Sequence, residues 1–422
     1  MRRDTSHSDE FRLGQTEFVA MMAMIMALQA LCIDAMLPSL GVMASELGAR
    51  DPNDRQLVVG VYLIAAGFGS LIPGSLADRF GRRPVLFGAL ACYVGFCIAC
   101  ALVQDFQTML VLRALQAISC AGLAVLPSAI VRDRYGGDKM ASMLSTISVV
   151  FLIVPVMAPS FGQFVLLFSG WRTIFWVMSV LGVAVGVWTW LRLPETLNPA
   201  YRQTIDLVAV AINMWGAATN RSAIGYTIGA SLVTGGLFGF INSSQQLVAE
   251  HFGAGDRFPL IFAACAGAMA VANFTNARIV ERFGARRVSH AALLAFIAVS
   301  ALQVWEASRP DQDLWHFVPL MAANMCLIGF IGANFGSIAL QPFERTAGAA
   351  SSFQMFARML IGSGIGAVIG QAYDGSARPL ALGLLLGALL SLGCVLFSEH
   401  GRLFRRLLPP GTARPVADPP PR

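Results

Sequence analysis

Residues 74–85 read GSLADRFGRRPV, and residues 281–287 read ERFGARR. Asp78 in the first stretch matches Glu281 in the second, Arg79 matches Arg282, and Gly81 matches Gly284. The two stretches lie almost half the chain apart, and each follows the second long apolar run of its half. Recurrence at equivalent places in a series of apolar runs marks a duplicated membrane bundle. The glycine permits a tight turn between two helices. The acid and the arginines can form a charge network that holds helix ends together, and such a network can break when two bundles rock. The candidate gating residues are therefore Gly74, Asp78, Arg79, Gly81, Arg82 and Arg83 in the first copy, and Glu281, Arg282 and Gly284 in the second. Gly74 is expected to let neighbouring helices approach closely.

Outward from these loops the chain is a succession of apolar runs. They fall near 17–40, 56–77, 85–104, 106–131, 141–168 and 171–191, then near 223–248, 259–280, 288–306, 314–340, 347–370 and 379–398. Each is long enough to cross a bilayer, which takes about 20 residues. Only 13% of the 422 residues are charged, against about 25% in soluble domains. Mean hydropathy is +0.64. A soluble fold could not hide so much apolar surface. Long continuous runs, rather than alternating ones, exclude an outer-membrane barrel. The expected fold is an all-α membrane protein with 12 transmembrane helices in two pseudo-symmetric six-helix bundles. The expected parts are residues 1–192, a cytoplasmic linker at 193–222, a second bundle at 223–400 and a disordered cytoplasmic tail at 401–422.

The net charge of +6 is explained by sidedness rather than by nucleic-acid binding. With a cytoplasmic N-terminus, the inner segments hold 22 basic residues and the outer ones 6. Adding or removing one helix would scramble that bias, so both termini are expected in the cytoplasm. The first run is too long for a signal-peptide core. All eight cysteines fall within apolar runs, and Cys97 and Cys100 read as packing residues rather than as a metal or redox pair. The five histidines do not cluster with carboxylates, so no catalytic constellation is visible and no enzyme is expected. No phosphate-binding loop of the G-x-x-x-x-G-K-[ST] form appears, which argues against ATP as the energy source.

Three charged residues stand apart from this sidedness. Asp34 lies within the first run, and a carboxylate there is costly unless it is paired or functional. Burial favours its neutral form and a nearby cation its ionised form, so a group poised between the two can carry a proton. A helix-end carboxylate at the outer interface beside Pro38 is the other reading. Arg113 is seven residues in from Phe106, too deep to snorkel, and Gln116 shares its helix face. That face is expected to look into the cavity between the halves, or to hold a static ion pair. Arg358, in SSFQMFARMLIGSGIG at 351–366, needs an anionic partner from the protein or the substrate, unless the helix register carries it to the cytoplasmic surface. In VPVMAPSFGQ at 154–163, Pro155 and Pro159 are expected to break the fifth helix and Gly162 to pack it closely.

The loop at 74–83 resembles motif A of the major facilitator superfamily, and the chain more narrowly resembles the Bcr/CflA drug–proton antiporters of the bicyclomycin and chloramphenicol resistance type. The resemblance rests also on DAMLPSL at 34–40, RALQAISCAG at 113–122, VPVMAPSFGQ at 154–163, GWRTIF at 170–175, LPETL at 193–197 and FGARR at 283–287. Ala117 and Gln163 stand where the family has glycine, and Arg358 where related antiporters have glutamine. The resemblance implies a multidrug efflux antiporter of the bacterial inner (plasma) membrane, conferring antibiotic resistance. Its partners would be a small-molecule substrate, protons and the lipid bilayer, with no nucleic acid, no metal and no cofactor, and the chain would be a monomer. It implies a proton or substrate role for Asp34, with Arg113 tuning an acidic partner for which Asp34 is the candidate. It also implies that Pro155, Pro159 and Gly162 form a barrier against leak. Arg358 would widen the substrate range toward neutral or anionic molecules. The alternative is a proton-coupled or facilitative importer of a small metabolite on the same fold.

Overall fold

The computed structural model describes residues 13–135, 137–197, 207–343 and 347–404. The N-terminal arginines, Arg202 and Asp206 of the linker and the tail from 405 lie outside the described residues. Among the described residues, 11 helices are long and apolar enough to cross a membrane, and a bent pair makes up to 12.

The first span is α1 (Gln15–Asp34), a short turn at Leu37–Ser39, and α2 (Leu40–Glu46). Pro38 supplies no N–H to the carbonyl of Asp34, so the regular helix ends there. The second span is α3 (Leu57–Gly69) and α4 (Pro73–Phe80), bent by 42°. The sequence led us to expect one continuous helix. Pro73 cannot donate to the carbonyl of Gly69, and its ring crowds the preceding turn. Gly69 is required here, because a Cβ on it would lie 2.7 Å from the Cα of Ile118.

The rest of the first half is α5 (Arg82–Leu102), α6 (Phe106–Arg134), α7 (Gly137–Phe168) and α8 (Arg172–Arg192). Helix α7 runs unbroken through Pro155 and Pro159, against the expectation of a break. Neighbouring helices can satisfy carbonyls freed by proline within a membrane. A second difference lies in the linker, where α9 (Leu207–Thr219) forms and packs against the eleventh span and the seventh. Its sequence, LVAVAINMWGAAT, carries no charge and forms an apolar helix between polar flanks.

The second half is α10 (Arg221–Gln246), α11 (Phe258–Phe283), α12 (Ala285–Ala307), α13 (Leu314–Leu340), α14 (Ala347–Gln371) and α15 (Arg378–Ser398). Side chains of Asp105, Asn220 and Asp313 accept from backbone N–H groups at the starts of α6, α10 and α13, satisfying donors that a helix start leaves open.

Packing repeats between the halves. In the first, α7 and α8 pack on α1, α6 packs on α1, α3 and α5, and α5 packs on α8. In the second, α14 and α15 pack on α10, α13 packs on α10, α11 and α12, and α12 packs on α15. The halves meet through α3 against α14 and α7 against α11, the second and fifth spans of each reaching across to the other. Close contact depends on small residues. A Cβ on Gly366 of α14 would lie 2.7 Å from the Cβ of Phe238 on α10.

Candidate functional site

The break after α1 is where the sequence-selected residues converge. Asp34 is 5% exposed, and its Oδ1 is buried without a hydrogen-bond partner. Two residues earlier, the carbonyl of Cys32 accepts from the guanidinium of Arg113 at 2.8 Å. On the other side, α7 presses Gly162 against the carbonyl of Ala35 so closely that no side chain would fit. Residues 32–35 are thus held between α6 and α7, with the carboxylate of Asp34 among them.

Arg113 is fully buried at 0% exposure. Its Nη1 donates to Gln116 Oε1 at 2.5 Å, its Nε donates to the carbonyl of Val58 at 3.4 Å, and the guanidinium lies 4.2 Å from the centre of the Tyr62 ring. Gln116 in turn donates to Cys97 Sγ at 3.2 Å. Carbonyl dipoles and a π face satisfy this cation where a carboxylate was expected. Asp34 is not its ion-pair partner among the described residues. Arg113 instead ties α1, α3 and α6 together, and Gln116 extends the tie to α5.

Arg358 sits in mid-α14, not at a helix end. It is partly exposed, its Nε is buried without a partner, and it forms no ion pair among the described residues. Its Nη2 lies 3.5 Å from where a side chain on Gly336 of α13 would sit. Gln354, one turn earlier on the same face, donates to the carbonyl of Gly336 at 3.2 Å.

The motif loops occupy one end of the bundle. Gly81 has φ +106° and a Cβ there would meet the carboxylate of Glu195, so glycine is required twice over. Glu195 accepts from the backbone N–H groups of Arg82 at 2.9 Å and Arg83 at 3.1 Å, which caps α5 with a negative charge. Arg82 is buried and pairs with Asp78 at 2.6 Å and Asp133 at 2.8 Å. Arg83 donates to the carbonyl of Trp190 and stacks on its ring. Arg79 is exposed and lies over Phe80. Gly74 has open space beside it, so the expected close approach is not made there.

The second copy is built differently. Gly284 repeats the turn with φ +86°, but Ala285 occupies the first helical position that Arg82 fills in the first copy. Glu281 and Arg282 are exposed and form no ion pair among the described residues. They are not a charge network, contrary to expectation. Arg286 takes over, donating to Glu399 at 2.7 Å and to Gln341 at 2.8 Å. Tyr226 donates to Glu399 at 2.6 Å and touches His290 at 3.0 Å. Burial pushes the Glu399 carboxyl up, but hydrogen bonds from Tyr226 and Arg286 outweigh it, and the group is held below its ordinary range.

At the opposite end, polar residues join the two halves, and sequence reasoning passed over most of them. Arg55 pairs with Glu250 at 2.5 Å, and Gln56 donates to Gln246 at 2.7 Å. Gln246 donates to Asn53, and Asn53 donates to the carbonyl of Tyr373, both at 2.9 Å. Gln371 donates to the carbonyl of Asn53 at 2.9 Å. The only sequence signal was a dense polar stretch, DPNDRQ at 51–56, which reads equally well as an ordinary loop.

A bundle of paired six-helix halves, with a carboxylate and two arginines inside it and charged loops at one end, is the architecture of a secondary transporter. The model of the Major Facilitator Superfamily matches residues 18–367. The chain belongs to that superfamily. It is 27% identical over 369 residues to a bicyclomycin resistance protein homolog of Haemophilus influenzae, covering 86% of this chain and 91% of the relative. It is also 27% identical over 375 residues to the multidrug resistance protein MdtL of Escherichia coli O157:H7, covering 88% and 92%. Among solved structures it resembles a bacterial homolog of the human lysosomal transporter Spinster, in an inward-facing and occupied conformation. That match has a TM-score of 0.70 and 15% identity and covers 92% of this chain and 96% of that one. It also resembles the human organic anion transporter MFSD10, with a TM-score of 0.65, 16% identity and coverage of 92% and 100%. At such identities the structures establish the fold alone. The protein is a multi-pass membrane transporter of a small-molecule substrate.

Proposed function

We propose that the protein exports drugs or other small lipophilic molecules in exchange for protons, by alternating access in the bacterial inner membrane, with both termini in the cytoplasm. The relatives named for bicyclomycin and multidrug resistance support export. The observation that carries proton exchange is the buried, unpartnered carboxylate of Asp34 at the break in the first span. With no cation paired to it, its charge in a closed, dry bundle is costly, and a proton removes that cost. Asp34 then favours a different arrangement of the halves in each protonation state, and bound drug competes with the proton for the same state. Arg113 and Gln116 hold the segment that carries Asp34. Gly162 packs the other side, and with Pro155 and Pro159 in the same helix it limits leak past α1.

Asp78, Arg82 and Arg83, with the Gly81 turn, brace the first bundle as one moving body. Gly284 and Arg286 brace the second, each copy of the loop bearing on its own half. The arginine-rich end is cytoplasmic in this reading, so the polar bonds between Asn53–Gln56 and the ends of α10 and α14 seal the outer side. Breaking them is then part of outward opening. Arg55→Ala should favour the outward-open state by about 1 kcal/mol, a partly exposed ion pair being worth little more. Amide hydrogen exchange across residues 52–57 should accelerate about fivefold. Unchanged exchange would remove the seal from the account.

Arg358 contributes to substrate choice, because its guanidinium has no counter-charge of its own. An efflux-deficient bacterium expressing the chain should gain resistance to a panel of lipophilic antibiotics. Arg358→Gln should selectively lose resistance to the acidic or neutral members and keep it for cationic ones. An identical profile in the variant would exclude Arg358 from substrate contact, and no resistance from the wild type would contradict export.

A further inference from the structure

An apolar groove on the described surface lies away from the residues considered above. Helix α11 packs on α13, and α12 packs on α13 and α15, so α11 and α12 splay apart above α13. The groove between them has a volume of about 550 Å³. Ile279 and Phe283 of α11 form one wall, and Leu327 and Phe330 of α13 form the floor. Ala291 and Ala295 line the α12 side, both exposed and too small to fill the gap. Helix α12 packs on α11, α13 and α15 of its own half, whereas the halves meet through α3 against α14 and α7 against α11, so the α12 side of the groove faces away from the seam.

One end of the groove is charged. Arg287 lines it and is the only polar lining residue. It is exposed, and its Nε donates to the carbonyl of Phe404 at 3.2 Å. Phe404 closes the same end. Its N–H donates to His290 Nδ1 at 3.0 Å, and its ring meets the His290 ring edge-on. Arg282 follows Ile279 by three residues and flanks the same wall, whereas Glu281 falls about 200° round the helix from Ile279. Arg286 is spent on Glu399. Neither Arg282 nor Arg287 forms an ion pair among the described residues.

We propose that this groove binds an acidic phospholipid from the leaflet at the arginine-rich end, with an acyl chain along Ala291 and Ala295 and the phosphate between Arg287 and Arg282. An apolar trough open to lipid takes a hydrocarbon chain, and unpaired arginines at headgroup depth take a phosphate that brings no cation of its own. Choline or ethanolamine headgroups neutralise their own phosphate and gain less from the arginines. A neutral drug would leave the arginines unanswered. The bound lipid also buttresses Phe404, and through it the clasp of Glu399, Tyr226 and His290 at the foot of the second bundle.

Native mass spectrometry of the purified full-length chain tests this. With phosphatidylglycerol and phosphatidylcholine of matched chains, the wild type should retain the acidic lipid about tenfold better, two basic side chains supplying the difference. Arg287→Gln should cut that preference about fivefold, and Arg287→Lys should keep it. Ala291→Leu should weaken both lipids together by filling the trough. Thermal unfolding of each variant separates lost binding from lost folding. Equal retention of the two lipids by the wild type, or undiminished binding in a folded Ala291→Leu, would overturn the proposal. Displacement of phosphatidylglycerol by an equal concentration of neutral N-phenyl-1-naphthylamine would also overturn it, assigning the groove to lipophilic cargo.

Discussion

Everted membrane vesicles carrying Asp34→Asn should show no proton release on addition of drug, whereas wild-type vesicles energised with a pH gradient should. Asparagine keeps the shape of the side chain and removes its ability to ionise. The fold should tolerate it, because Asp34 gives up no ion pair and its Oδ1 accepts no hydrogen bond. Removing an acid whose ionised form is costly when buried should leave the thermal midpoint of the purified protein equal to the wild type or above it. Loss of exchange with retained stability is therefore the expected pair of results. Proton release that survives in Asp34→Asn would move the coupling residue elsewhere.

Arg113→Leu is expected to do the reverse on stability. It orphans the carbonyl of Cys32 and the side-chain oxygen of Gln116 and removes a third contact, to the Val58 carbonyl, which keeps its bond within α3. Each buried acceptor left open costs about 1–3 kcal/mol. The variant should unfold at markedly lower temperature in detergent and lose transport. Arg113→Lys should recover part of the stability only, since an ammonium cannot span the carbonyls that a planar guanidinium reaches together. The two variants also check each other. Were Arg113 and Asp34 an ion pair, Asp34→Asn would destabilise the protein as well. The carbonyl network predicts that it does not.

The repeated loop was enough to place two six-helix bundles, because a duplicated pattern of apolar runs is a property of the sequence itself. Gly81 and Gly162 were legible for the same reason, each being glycine where a turn or close approach admits nothing else. The partners of Arg113 were not legible. The sequence offered Asp34 as the nearest opposite charge, but backbone carbonyls of other helices carry no sequence signature. Gly74 reads like a packing glycine and packs against nothing. The second loop looked like the first, yet its inserted Ala285 displaces the arginines by one position. A helix turns about 100° per residue, so Arg286 meets Glu399 and the Arg82 network has no twin. Helix α9 was hidden because the charges and prolines around residues 207–219 outweighed the apolar stretch between them. The bonds of Asn53, Arg55 and Gln56, at the end opposite the arginine-rich loops, became visible only when α10 and α14 were brought to them.

The central proposal is that this protein exchanges protons for drug. Purified wild-type protein in proteoliposomes holding a pH-sensitive dye, with no proton gradient imposed, tests it most directly. A drug gradient alone should drive protons the opposite way across the membrane, and reversing the drug gradient should reverse the proton flux. Drug movement that leaves the internal pH unchanged in both directions would contradict the claim.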